Sequence, residues 1–125
     1  IAKKILKEKL YLVTDAVSPA GTDNMTEFMF EGNRVLFKDG KCVSPTGTLG
    51  GSALVMIDGV KNLVEHVHIS LEEALRMATS YPAETIGVNE KYGFIKEGYF
   101  ADLTYFDDRF KVKGTISKGK LTEYK

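Results

Sequence analysis

Apolar positions along this chain follow three rhythms, and each predicts a different kind of element. Leu10 to Val13 is a continuous apolar run. A single carboxylate, Asp15, follows it before the chain breaks at Ser18-Pro19-Ala20-Gly21. A short apolar run bounded by turn residues reads as a strand buried on both faces, here Lys9 to Thr14, as in a parallel sheet. Ile1 to Leu6 ahead of it reads as the tail of a helix. From Glu27 to Val43 the period changes to two: Phe28 and Phe30 share one face, as do Val35 and Phe37. The turn signals Glu31-Gly32-Asn33 and Lys38-Asp39-Gly40-Lys41 make this block two or three antiparallel strands.

The third rhythm is helical. After the glycine-rich loop Ser44 to Ser52, apolar residues recur every three or four positions at Leu54, Ile57, Val60, Leu63, Val64 and Val67. Ser52 is placed to cap that helix. Ser70, with Glu73 three residues later, is a capping box for a second helix with its stripe at Leu71, Ala74, Leu75 and Ala78. A short third helix opens near Pro82 and ends at Gly87. The pattern then returns to strands at Phe94-Ile95, Ala101 to Phe106, Phe110 to Ser117 and Lys120 to Glu123, broken at Gly98, Asp107-Asp108 and Lys118-Gly119. One doubly buried strand cannot satisfy its backbone alone, so its sheet neighbours are expected upstream, and the chain reads as the carboxyl part of a larger protein. An opening on Ile1-Ala2-Lys3-Lys4 rather than Met agrees with that expectation.

Composition narrows the class without naming a chemistry. The 125 residues are one domain's length; 43% are hydrophobic and 27% charged, as in a globular chain. Lys plus Arg and Asp plus Glu stand at 17 each, so no net field favours nucleic acid or an anionic membrane. Clusters such as Lys7-Glu8-Lys9 read as a solvated face. Cys42 is the sole cysteine, which rules out an internal disulfide and fits a reducing cytoplasm. No apolar run nears the roughly 20 residues of a membrane span.

Candidate chemistry centres on Asp15, because α/β enzymes place reacting groups at the carboxyl ends of their parallel strands. The alternative is that Asp15 only begins a turn or caps a helix. Leu49-Gly50-Gly51 can let backbone approach a ligand closely, or can merely lead into the following helix. His66 and His68 lie two apart on the predicted helix and face different directions, so they cannot share one ion. Cys42 reads as a small buried residue, and Asp102, Asp107 and Asp108 as turn or surface residues.

Several motifs carry a resemblance. Leu12-Val13-Thr14-Asp15-Ala16 with Pro19-Ala20-Gly21, then Gly47-Thr48-Leu49-Gly50-Gly51-Ser52, Met56 to His66, Met77-Ala78-Thr79 with Tyr81-Pro82-Ala83, and Gly93 to Leu103 resemble the N-acetylglucosamine-6-phosphate deacetylase family of the amidohydrolase superfamily. The final motif is common to many amidohydrolases; the first two point to the deacetylases. Gly50 departs slightly, since the family more often has Ala or Ser there.

The resemblance implies an α/β fold, the C-terminal part of a (β/α)8 TIM barrel with a small β-sandwich. Residues 1–91 would hold the last barrel strand and its covering helices, with a β-hairpin insertion at about 27–43, and residues 92–125 strands of the sandwich. It implies hydrolysis of N-acetylglucosamine 6-phosphate to glucosamine 6-phosphate and acetate, with Asp15 as general base and then acid. Leu49, Gly50 and Gly51 would contact the sugar. A divalent metal such as zinc would take its ligands, a Glu and two His, from earlier strands, leaving none in this chain and the isolated piece inactive. The partner would be a small sugar phosphate, with no nucleic acid or membrane, and the complete enzyme a cytoplasmic homo-oligomer. Two other classes stay open: an amidohydrolase acting on a cyclic amide or amino-acid amide, and a stand-alone binding or assembly module.

Overall fold

The computed structural model describes residues 1–22, 25–38 and 41–124. It contains helices and antiparallel sheets, and divides into two compact units: one of residues 13–59, the other of residues 1–12 with 60–125.

The first unit is built on a four-stranded antiparallel meander. β1 (Glu27–Phe30), β2 (Asn33–Lys38), β3 (Lys41–Val43) and β4 (Leu49–Ser52) pair in chain order. The alternating pattern sets the β1–β2 register, with Phe28 opposite Val35 and Phe30 opposite Asn33 across the Glu31-Gly32 turn. Arg34 and Glu27 form an ion pair on the exposed face. Val35 and Phe37 are half-buried, but Phe30, beside the turn, is 58% exposed. The expected Asp39-Gly40 turn lies outside the described residues. Cys42 on β3 is fully buried, and that burial pushes its thiol pKa up.

β4 is a strand where the sequence predicts a loop. The turn Ser44 to Gly47 closes through backbone bonds, with Ser44 N–H to Thr48 C=O (2.8 Å) and Gly47 N–H to Ser44 C=O (2.9 Å), and this returns Leu49–Ser52 alongside β3. Consequently Ser52 does not cap the next helix. α2 spans Met56–Glu65, four residues later, with Val55 C=O accepting from Asp58 and Gly59 N–H.

The expected strand over Lys9 to Thr14 is absent. Residues 7–9 form a single 3-10 turn after α1 (Ala2–Leu6), and residues 10–15 run on without a ladder. Leu12 N–H reaches Met77 C=O (2.9 Å), while Val13 stays 66% exposed. The physical reason is backbone pairing: among the described residues no strand flanks this segment, so its N–H and C=O groups have no ladder to join.

In the second unit, α3 (Leu71–Ala78) starts at Ser70, whose Oγ accepts from Glu73 N–H (3.3 Å). The cap is present but its reciprocal half is not. The Glu73 carboxylate instead accepts from Tyr81 Oη (3.0 Å to each oxygen) and pairs with Arg76 (2.6 Å) and Lys3. Lys3 thereby ties α1 to α3, with its ammonium 4.9 Å from the centre of the Tyr81 ring. Ala74, Met77, Tyr81 and Ala83 supply buried side chains, the last two from α4 (Ser80–Thr85), where Pro82 sits third. Gly87, at φ +74°, follows the end of α4.

Phe94-Ile95, expected as a strand, is instead part of an irregular loop. Tyr99 Oη donates to Asn89 C=O (2.9 Å), and the Tyr92 and Phe100 rings pack at 5.0 Å. Aromatic packing fixes this segment without a ladder, and Ile95 is left 88% exposed. β5 (Leu103–Phe106), β6 (Val112–Ser117) and β7 (Lys120–Glu123) then form a three-stranded antiparallel sheet. Asp107 Oδ1 accepts from Arg109 and Lys111 N–H at the β5–β6 turn; the bond from Lys111 leads in holding its pKa down. It is a turn residue, as the sequence suggests.

Two stability effects follow. The hydrogen bond from Lys3, helped by Arg76 and Tyr81, lowers the Glu73 pKa from 4.5 to about 2. A carboxylate with a depressed folded-state pKa stabilises the fold above its ordinary pKa, and that stabilisation is lost as pH falls through the folded value. With the side chain one-fifth exposed, solvent screening holds the effect to about 1 kcal/mol. Stability measured by chemical denaturation should be steady above pH 5 and decline between 4.5 and 2, and Glu73→Gln should remove that part of the decline. At Gly114 on β6, an added Cβ would stand 2.6 Å from both Thr122 C=O and a Tyr105 ring carbon. Gly114→Ala should therefore cost about 1–3 kcal/mol, seen as a lower urea midpoint with the slope unchanged.

Candidate functional site

Asp15 lies in the ladder-free segment, exposed, with its backbone in the left-handed region at φ +51°. Asp tolerates this conformation better than most residues, though it still needs support from its surroundings. That support comes from β4. Ser52 N–H donates to Asp15 C=O (2.9 Å), Ser52 C=O accepts from Val17 N–H (2.9 Å), and the Ser52 hydroxyl donates to Thr14 C=O. A parallel bridge between Ala16 and Ser52 marks the same contact. The turn beyond closes through Ala20 N–H to Val17 C=O (2.9 Å) over a buried Pro19.

Gly51 makes this approach possible. It is buried at φ +125°, and an added Cβ would lie 2.9 Å from Val17 Cγ1 and 3.2 Å from Asp15 C=O. Gly50 is different: a Cβ there would meet nothing closer than Cys42 C=O at 3.7 Å, so a methyl group fits without strain. Leu49, at the start of β4, is 65% exposed. The four residues singled out in the sequence thus fall on one segment and one strand that touch. Gly51 contacts the Asp15 backbone, and Leu49 and Gly50 continue along the strand into solvent.

Ser52 is the residue that sequence reasoning assigned elsewhere. Its Oγ accepts from Leu54 N–H (3.2 Å), a local turn bond that a capping pattern imitates. The signal available was its place directly after two glycines, a position where backbone can come close to other backbone.

His66 and His68 do not sit on a helix. α2 ends at Glu65, and both histidines are exposed, His68 with φ +59°. Among the described residues no group of three or more His, Cys, Asp or Glu side chains could hold a metal ion. The described side chains therefore do not fit a resident metal by themselves. An arrangement of one exposed carboxylate on a backbone held by three hydrogen bonds to Ser52, beside an open strand edge, can move a proton at a bound molecule.

Comparison with known proteins gives the chain a family. The amidohydrolase family model matches residues 2–122. An N-acetylglucosamine-6-phosphate deacetylase of Haemophilus influenzae is 38% identical over 124 residues, which cover 98% of this chain and 32% of that protein. An N-acetylgalactosamine-6-phosphate deacetylase of a Shewanella species is also 38% identical, over 114 residues that cover 91% of this chain and 28% of that protein. The crystal structure of N-acetylglucosamine-6-phosphate deacetylase from Pasteurella multocida superposes with a TM-score of 0.92 at 47% identity, covering 98% of this chain and 32% of that one. The chain therefore spans about a third of the length of these relatives. With a family model matching nearly its whole length, the chain belongs to the amidohydrolase family.

Proposed function

We propose that this chain is the C-terminal part of a hydrolase that removes the acetyl group from N-acetylglucosamine 6-phosphate, giving glucosamine 6-phosphate and acetate. The observation that carries the reading is the joining of Asp15 to the Leu49–Ser52 strand, within a chain 47% identical to a deacetylase of solved structure. In this reading residues 1–91 belong to a (β/α)8 barrel and residues 92–125 to a small β-sandwich. In this reading the working enzyme is a cytoplasmic homo-oligomer. A divalent metal belongs to the reading, with ligands from residues other than those described here, and no step below is routed through it.

Asp15 is the proton carrier. Its carboxylate accepts a proton from water as the water oxygen bonds to the acetamide carbonyl carbon. The carboxylic acid so formed then delivers that proton to the amide nitrogen, the C–N bond breaks, and the amine leaves as the carbonyl reforms in acetate. One group serves both steps because its carboxylate is exposed while its backbone is hydrogen-bonded to Ser52. Leu49 and Gly50, on the open part of β4, lie against the sugar. Gly51 presents its backbone there and holds β4 close to Asp15.

The Shewanella relative favours a second reading, in which the substrate is N-acetylgalactosamine 6-phosphate, the epimer at a single hydroxyl. Acetate release from the two sugar phosphates by the complete enzyme decides between them. A ratio of kcat/KM above tenfold for the glucosamine compound supports the first reading, and the reverse ratio the second. In the same enzyme, Asp15→Asn keeps the size of the side chain and removes the proton acceptor. It should lower kcat roughly 10²- to 10⁴-fold, with KM and metal content little changed. A kcat within threefold of the parent, with metal retained, would remove Asp15 from the mechanism.

A further inference from the structure

Among the described residues, Ser52 bonds to three successive peptide groups around Asp15: to Thr14 C=O through its hydroxyl, to Asp15 C=O through its N–H, and to Val17 N–H through its C=O. Two of these bonds belong to any residue at this position. The third requires the hydroxyl, and it lands on the peptide that immediately precedes Asp15. The Asp15 backbone at φ +51° belongs to no strand or helix, so regular structure does not fix the rotation of this peptide. A rotation there would swing the Asp15 Cα–Cβ direction. The neighbouring Gly51 leaves no free space to absorb such movement, since Val17 and Asp15 C=O already occupy the position of its absent side chain.

We infer that Ser52 is a positioning residue for the deacetylation: its hydroxyl fixes the Thr14–Asp15 peptide so that the Asp15 carboxylate stands where it can carry the proton. The inference rests on the proposed role of Asp15 and extends it to a group that touches neither substrate nor reacting atoms. Ser52 also closes β4, the strand that carries Leu49 and Gly50, so the residue whose hydroxyl orients the proton carrier also joins it, through two backbone bonds, to the strand that receives the sugar. Proton transfer is sensitive to such placement: a displacement of about 1 Å can cost on the order of 100-fold in rate.

The test is a double-mutant cycle in the complete enzyme, with N-acetylglucosamine 6-phosphate and its galactosamine epimer as substrates. Ser52→Ala should lower kcat roughly 10- to 100-fold while KM stays within threefold, and Ser52→Thr, which keeps the hydroxyl, should recover most of the loss. In the Asp15→Asn background, Ser52→Ala should lower kcat little further, because a residue acting through Asp15 has nothing left to position. Thermal melting of each variant separates misplacement from unfolding: the expected kcat loss appears in protein that melts as the parent does. An equal kcat loss from Ser52→Ala in both backgrounds, or a loss that follows the folded fraction, overturns the positioning role. A fall for Asp15→Asn with none for Ser52→Ala overturns the positioning role alone. Near-normal kcat for Asp15→Asn overturns the reading of Asp15 itself, and the positioning role with it.

Discussion

A backbone that belongs to no ladder must still place its polar groups somewhere, and in the unit of residues 13–59 that requirement governs the arrangement around it. Thr14, Asp15 and Val17 each have one group satisfied by Ser52. The three bonds satisfy peptide groups that no ladder pairs, which favours one path for this half-exposed segment over the alternatives that water would solvate. They hold only if β4 comes near enough, and it comes near enough only because Gly51 has no side chain to meet Val17. The β3–β4 turn at Ser44 to Gly47 in turn delivers β4 to that position. A chain of small causes thus leads from a serine-proline-glycine turn to the exposure of one carboxylate.

The second unit solves the same kind of problem with charge. Glu73 lies in the first turn of α3, where a carboxylate is favoured by the helix dipole, yet its oxygens are committed to Lys3, Arg76 and Tyr81 rather than to the cap. A half-buried carboxylate with three donors is better satisfied than one closing a capping box on a single backbone N–H. This explains why Ser70 caps alone. The same group anchors the short α1, which is too brief to be stable by its own hydrogen bonds.

What the sequence made legible follows from where periodicity is physically enforced. The helical stripe through Val60 is enforced by burial on one face, and β1–β3 and α2 stand where the pattern puts them, apart from a later start and an earlier end to the helix. The run Leu10 to Val13 carries no ladder because apolar content reports what a segment would bury, and the pairing strands this reading expects upstream are not among the described residues. Phe94-Ile95 misled differently: the apolar pair belongs to a loop held by Tyr99, Tyr92 and Phe100, a set of contacts without any period. Ser52 misled because a hydroxyl two residues before an N–H makes the same local bond whether or not a helix follows.

Candidate chemistry was legible as residue types and not as an arrangement. Asp15 and Leu49-Gly50-Gly51 are 34 or more positions apart in the chain, and nothing in either motif states that they touch. The contact assigns different work to residues that the motif presents as equivalent. Gly51 is buried, and the space of its missing side chain is filled by Val17 and the Asp15 carbonyl, so its glycine character is explained by contacts within the chain. Gly50 has room for a methyl group and no such obligation. If backbone N–H groups of this strand serve a ligand, the exposed portion at Leu49 and Gly50 is where they can do so at no cost to the clamp. A strand pinned at one end by Ser52 and open at the other joins a rigid anchor to a free edge, and Asp15, held by that anchor, keeps a fixed distance from the edge.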